Sequence, residues 1–173
     1  HIECKGFDIV LKAAERIGES VDFYIIGGEP SAENKQYKEA HNLSNVHFVD
    51  FLGKDELREY YNAVDLFVLM TRGDTWGLVI NEAMANGLPV ITTKRCVAGV
   101  ELIKDGENGY IIDVDDTEAL VNKVLTLRDN KVLCRQMSHA NINKMKTNTV
   151  DNIVIGHIQV LEELFDETEK KGD

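Results

Sequence analysis

The sequence predicts an α/β fold, an open and mostly parallel sheet with helices on both faces. Three observations predict it. The runs VDFYII, VHFVDFL, DLFVLM and LPVIT are largely continuous in apolar, β-branched and aromatic residues, the pattern of strands buried on both faces. They alternate with stretches of about ten residues or more at helical spacing, as expected when the crossovers of a parallel sheet are helices. Glycines punctuate the joints at Gly18, Gly27-Gly28, Gly53 and Gly87.

Taken in order, residues 5–17 place Phe7, Ile9, Val10, Ala13, Ala14 and Ile17 on one helical stripe, and Gly18 supplies the stop. Residues 21–26 read as a buried strand and 31–41 as a polar helix. Residues 46–52 form the next strand, and Asp55 opens a helix that runs to about Ala63. Residues 65–70 are the most hydrophobic strand and are expected to be the most buried. A helix over 77–86 ends at Gly87 and a strand follows over 88–92. A short strand at 110–112 comes after the Gly106/Gly109 turn. Helices are expected at 116–129, 132–145 and 150–168. In the last, Val150, Ile153, Val154, Ile158, Leu161, Leu164 and Phe165 form a stripe expected to pack on the domain, with 166–173 a frayed tail. No repeat or linker divides the chain, so residues 1–173 read as one domain.

The 173 residues include 30 acidic and 19 basic ones, a net charge of −11. Such a balance argues against nucleic acid or anionic lipid as an electrostatic partner. Cys4, Cys96 and Cys134 are odd in number and lack CxxC spacing, which points to reduced thiols in a cytosolic chain. The five histidines are scattered without metal-ligand spacing; His41 and His47 read as ordinary hydrogen-bonded residues. Cys96, expected on the cleft side near Lys94 and Arg95, has no histidine and carboxylate to use it. The dinucleotide fingerprint and the Walker pattern are both missing. The chain opens on His1 and enters a helical pattern at once, which reads as a piece of a longer polypeptide.

Ligands of open parallel sheets bind beyond the carboxyl ends of the strands. The segment Arg72 to Val90 (RGDTWGLVINEAMANGLPV) leaves such an end and enters a helix. The amides of Thr75, Trp76, Gly77 and Leu78 would lack intrahelical partners there. Together with the helix dipole they suit a phosphate, and Gly77 lets it approach the backbone. Asp74 and Glu82 are eight positions apart, roughly 12 Å along a helical path. That is too far for the carboxyl pair of a retaining glycosidase, about 5–5.5 Å apart. Flanking a diphosphate, two such acids could hold a sugar on one side and a ribose on the other. Asp74 also suits a helix N-cap, and Trp76 suits packing as well as stacking. For Glu82 a solvated position is the plainer alternative, against which stand its apolar neighbours Val79, Ile80, Ala83 and Met84.

DTWGLVINEAMANGLPVI resembles the E-x(7)-E segment of retaining glycosyltransferases of the GT-B fold, in particular glycosyltransferase family 4 (group 1), usually E-x-F-G-hydrophobic-x-x-x-E-A-x-A-x-G-x-P-V. Lys5-Gly6-Phe7-Asp8 resembles that family's K-G-hydrophobic-D helix start, and Ile26-Gly27-Gly28-Glu29-Pro30 its G-x-G-P turn. Phe51-Leu52-Gly53, then Tyr60 and residues 63–69, are similar to its F-L-G … Y … A-D-L-F-V-L-P-S passage. Glu101, Asn108 and Gly109 are similar to its E … D-G-x-N-G passage. The likeness spans about residues 5–130 in the expected order.

The resemblance implies a Rossmann-like half of a two-domain enzyme: the donor-binding domain of a glycosyltransferase that moves a sugar from a nucleotide-diphosphate sugar to a glycan or lipid-linked acceptor. It implies that Lys5 meets the diphosphate, that the Gly77 and Leu78 amides hold its distal phosphate, and that Thr75 and Trp76 complete this loop. By the same likeness Glu82 grips the ribose, Asp74 the transferred sugar, and Gly28 with the Leu52-Gly53 backbone borders the nucleotide. No cofactor or metal is implied, since lysine, arginine and the helix start neutralise the diphosphate. The implied partner is an amino-terminal acceptor domain of the same polypeptide, in a cytoplasmic enzyme that the resemblance also allows at the inner face of the membrane. Asp74 stands where glutamate is usual, shortening the reach by ~1.5 Å, and Met70-Thr71 replaces the frequent Pro-Ser. The first strand of the fold, and an arginine paired with the lysine, belong to residues before His1, so this piece alone is expected to be inactive. Two other readings share the fold: a non-catalytic binding module, and a sugar-nucleotide epimerase.

Overall fold

The computed structural model describes residues 3–149, 152, 154–155 and 158–162. After a 3-10 turn at Glu3–Lys5, helix and strand alternate: α1 Phe7–Ile17, β1 Phe23–Ile26, α2 Ala32–Ala40, β2 Val46–Val49, α3 Lys54–Ala63, β3 Phe67–Leu69, α4 Leu78–Ala85, β4 Val90–Thr93, α5 Val97–Leu102, β5 Gly109–Ile112, α6 Thr117–Asp129 and α7 Lys131–Thr147. Side chains cap several helices: Ser31 accepts from the Asn34 amide at α2, Asp116 from Ala119 at α6 and Asn130 from Leu133 at α7.

Every strand pairing is parallel, but the pairings form two sheets, β1-β2 and β3-β4-β5. Among the described residues no strand bonds the free edges of β1 and β3. A cavity of about 1120 Å³ is lined by residues of both. This gap overturns one expectation. β3 is not the most buried strand: Phe67 and Val68 are only half-buried, whereas all four residues of β4 are buried between β3 and β5. An edge on an unfilled space leaves its side chains wet however hydrophobic they are.

The core has two parts. Ile9, Val10, Leu11 and Ala14 of α1 meet Phe23 and Ile25 of β1 and Leu120, Val124 and Leu127 of α6. Ile80, Ala83 and Met84 of α4 meet Leu69, Val90, Ala98 and Leu102. The fully buried Asn141 of α7 donates to the Leu88 and Asn108 carbonyls and accepts from Asn108, so the polar group is satisfied. Helix α5 was not foreseen, because its six residues (VAGVEL) are too few to show a period. The stripe expected over 150–165 lies mostly outside the described residues. Its described members Val154, Ile158 and Leu161 are exposed rather than packed.

Lys5 falls in the 3-10 turn and not in α1 because Gly6 intervenes at φ 68°. A Cβ on Gly6 would lie 2.0 Å from the Met70 carbonyl oxygen, so the turn rests directly on the end of β3. Gly18 has the same φ of 68° with nothing within 4 Å of its would-be Cβ. Gly18→Ala is therefore expected to cost about 1 kcal/mol, the left-handed penalty alone, and Gly6→Ala at least ~2 kcal/mol, read as urea midpoints. Equal losses would show that the contact with Met70 relaxes freely.

Candidate functional site

Helix α4 starts one residue later than its sequence suggests, at Leu78. Gly77 caps it at φ 94°, with the position of its absent Cβ only 2.7 Å from the Cys96 sulfur. Any side chain here would meet both backbone strain and the buried thiol. Among the described residues no hydrogen bond engages the amides of Thr75, Gly77 or Leu78. The Trp76 amide donates weakly to Asp74 Oδ1, at 3.4 Å. The helix therefore presents unpaired N–H groups at its positive end, where an anion gains about 0.3–1 kcal/mol and up to ~2 when partly buried.

Asp74 is not the N-cap. Its side chain is 15% exposed, and its Oδ2 accepts from the Lys5 ammonium across the mouth of this turn. Its own amide donates to the Arg95 carbonyl at 3.1 Å, which holds it beside the end of β4. Because residues 74–77 are loop, the helical path first drawn between Asp74 and Glu82 does not apply.

The segment carrying Lys5 is tied to the β3–α4 loop at several points. The Arg72 amide and the Thr71 hydroxyl donate to the Cys4 carbonyl at 2.7 and 3.0 Å. The Arg72 guanidinium forks onto both Asp8 oxygens at 2.9 and 2.8 Å, and its Nε reaches Asp115 at 2.7 Å. Burial pulls the Asp8 pKa upward, but the hydrogen bonds and charge of Arg72 outweigh it and hold the carboxyl below its ordinary value. Arg72 is itself pushed up by Asp8, against desolvation and with help from Asp115. Sequence spacing did not show this cluster, which joins residues 8, 72 and 115.

Glu82 is exposed on α4, while Ile80, Ala83 and Met84 turn inward. Three of its four apolar neighbours in sequence thus turn away from it, contrary to the expectation drawn from them, while Val79, one turn back on the same face, is half-buried. One carboxylate oxygen accepts from the hydroxyl of the buried Tyr61, at 3.0 Å. Lys5, Leu52, Asp74, Thr75, Trp76, Gly77 and Leu78 all line the large cavity, whose mouth lies open. Gly28, Gly53 and Glu82 do not line it, and Glu82 meets its wall through Tyr61.

On the opposite lip, a Cβ on Gly28 would fall 2.7 Å from the exposed Phe51 ring, so the turns after β1 and β2 touch. The Gly53 amide is taken by Glu56 at 2.9 Å and its carbonyl accepts from Leu57 at 2.9 Å. Among the described residues nothing engages the Leu52 backbone, which makes Leu52 the freer neighbour for a ligand. The Trp76 indole N–H donates to Asn81 at 3.0 Å while the side chain stays 39% exposed, so both packing and stacking remain open to it.

Cys96 is wholly buried beneath the Trp76 carbonyl, not on the cleft surface, because it caps α5 from below the turn that precedes α4. His41 and His47 pair with Glu15 and Asp22 at 2.8 and 2.9 Å, as ordinary surface partners. Among the described residues no three His, Cys, Asp or Glu side chains group as a metal site.

Residues 1–130 match the family model of the group 1 glycosyl transferases. An uncharacterized glycosyltransferase of Methanocaldococcus jannaschii is 30% identical over 169 residues, covering 94% of this chain and 46% of that protein. The lipopolysaccharide core biosynthesis glycosyltransferase LpsE of Rhizobium meliloti is 32% identical over 124 residues, 71% of this chain and 36% of that one. The chain thus spans less than half the length of these relatives. The crystal structure of the carboxyl-terminal domain of LpcC, a group 1 protein of Francisella tularensis, superimposes with a TM-score of 0.75 at 25% identity, over 84% of this chain and 80% of that one. HepE of Anabaena, solved in complex with UDP-glucose, superimposes at 0.75 with 23% identity over 95% of this chain and 46% of that one, a likeness of fold.

The Asp8–Arg72 pair carries a pH signature. The Asp8 pKa is lowered on folding from 3.8, so its contribution is complete above that value and is lost as pH falls through the folded one. Urea titrations at pH 7 should place Asp8→Asn about 0.5–1 kcal/mol below wild type, a modest figure because both partners are partly exposed. The gap should narrow as the pH falls below 3.8 and vanish below the folded pKa. A gap that does not change with pH would assign the loss to packing rather than charge.

Proposed function

Because the chain belongs to the group 1 glycosyl transferases, as a carboxyl-terminal domain of the GT-B fold, we propose that it is the donor half of an enzyme that moves a sugar from a nucleotide-diphosphate sugar to an acceptor, with retention of configuration. The observation that carries this reading is the start of α4. Unpaired amides at Gly77 and Leu78 open into one cavity with Lys5 and Asp74 at its mouth. The distal phosphate sits on those amides, and Lys5 turns from Asp74 to the diphosphate. That exchange frees the Asp74 carboxylate for hydroxyls of the transferred sugar. Glu82 takes the ribose, and the base lies along the Leu52 backbone between the turns at Gly28 and Gly53.

The chemistry follows from this placement. The bond from the anomeric carbon to the diphosphate oxygen breaks, the acceptor oxygen forms its bond to the same carbon, and the acceptor's proton passes to an oxygen of the departing diphosphate. Negative charge develops on the departing diphosphate, where fixed N–H dipoles already point and toward which the Lys5 ammonium turns. Preorganised groups of this kind stabilise the transition state more than the ground state. The UDP-glucose held by HepE supports a nucleotide sugar as the ligand.

The free edges of β1 and β3, with the cavity between them, support a strand from preceding residues that joins the two sheets. An acceptor domain on the same polypeptide is the partner this reading requires, and residues 1–173 form the donor unit. The acceptor is a glycan or a lipid-linked glycan. The setting proposed is the cytoplasm, including its membrane face; among the described residues no helix is long and apolar enough to cross a membrane.

The test is calorimetry on the full-length protein with UDP and GDP. Lys5→Ala should weaken the better-bound diphosphate about tenfold, ~1.4 kcal/mol, and leave the matching nucleoside unaffected. Turnover should require both donor and acceptor and fall at least tenfold in Asp74→Asn. Unchanged diphosphate affinity in Lys5→Ala would overturn the assignment, and conversion of a nucleotide sugar without acceptor would point to an epimerase.

A further inference from the structure

We propose that Tyr61 is a positioning residue for nucleotide binding, acting through Glu82. The proposal rests on the reading above that Glu82 grips the ribose. Tyr61 lies on α3, 21 positions from Glu82, and its hydroxyl donates to Glu82 Oε2 at 3.0 Å. Its ring is 8% exposed, within the core cluster that contains Ile80 and Met84, and stands against Phe67 with centroids 6.1 Å apart. A ring so enclosed has one place to put its hydroxyl, and there it holds Oε2, the one oxygen of this exposed carboxylate anchored among the described residues.

Glutamate on an exposed helix face samples several rotamers, and a ligand must select one of them. The phenol makes that selection in advance. It occupies Oε2 and leaves Oε1, which no described residue engages, to accept a hydroxyl from outside. Burial and the neighbouring Glu82 charge push the phenol pKa upward, so Tyr61 remains a donor. Helix α3 also begins at the Leu52-Gly53 turn proposed to border the base. Tyr61 therefore links the base side of the site to the ribose acid through one rigid element, the arrangement that preorganised sites require.

The full-length protein provides the test, titrated with whichever of UDP and GDP binds better and with its 2′,3′-dideoxy form. Tyr61→Phe keeps the ring and removes the donor. It should weaken the ribonucleotide about three- to tenfold and leave the dideoxy form unchanged. In a Glu82→Ala background the same substitution should add nothing, since the two residues act as one unit. A Tyr61→Phe loss that is equal for both nucleotides, or that persists in Glu82→Ala, means packing alone and overturns the proposal. If Glu82→Ala discriminates between the nucleotides while Tyr61→Phe does not, the positioning role falls and the ribose role stands. If Glu82→Ala does not discriminate between them, both fall.

Discussion

An α-helix leaves its first amides without partners, and something outside it must take them. At the start of α4 the described residues supply almost nothing for the purpose. Gly77 carries no side chain to fold back, Asp74 reaches only the Trp76 amide, and the buried Cys96 sulfur holds the turn from below. The remaining donors open into a cavity. Around these donors, which suit an anion, stand Lys5 on one lip and the turn carrying Leu52 on the other. The chain's overall charge of −11 does not conflict with it, because the attraction is local and directional.

Keeping that mouth in shape falls to contacts between segments distant in sequence. Gly6 lets the Lys5 turn rest on the end of β3, and Arg72 locks the following loop to α1 through Asp8. Lys5 and Asp74 neutralise each other across the opening. A pair partly open to water contributes little to stability, and for the same reason it can exchange partners cheaply. Asp74 in place of the longer glutamate fits a carboxylate already drawn toward the ammonium.

The split sheet and the exposed apolar side chains of its flanks have a common cause. Parallel strands are stable when both edges and both faces are covered. β4 meets that condition and β3 does not. The wet positions on β3 are therefore a property of its neighbours rather than of its own residues.

The order of strands and helices, the glycine joints, the parallel arrangement and the helix start with its open amides were legible in the residues, because each depends on local periodicity or on the conformational limits of a few adjacent positions. The motif around Trp76 and its likeness to group 1 transferases were legible for the same reason. Three things were not. The sequence made residues 65–70 the most buried strand, since hydrophobicity reports preference and not the presence of neighbours. It made Glu82 sheltered by apolar neighbours, although the helical turn sends those side chains the other way. It singled out Tyr60, while the stripe of Leu57, Tyr61 and Val64 on α3 was the available sign that Tyr61 points inward. Which ends meet in space, as Asp8 with Arg72 and Tyr61 with Glu82, is decided by the packing of helices on a twisted sheet. No spacing along a chain encodes it in isolation.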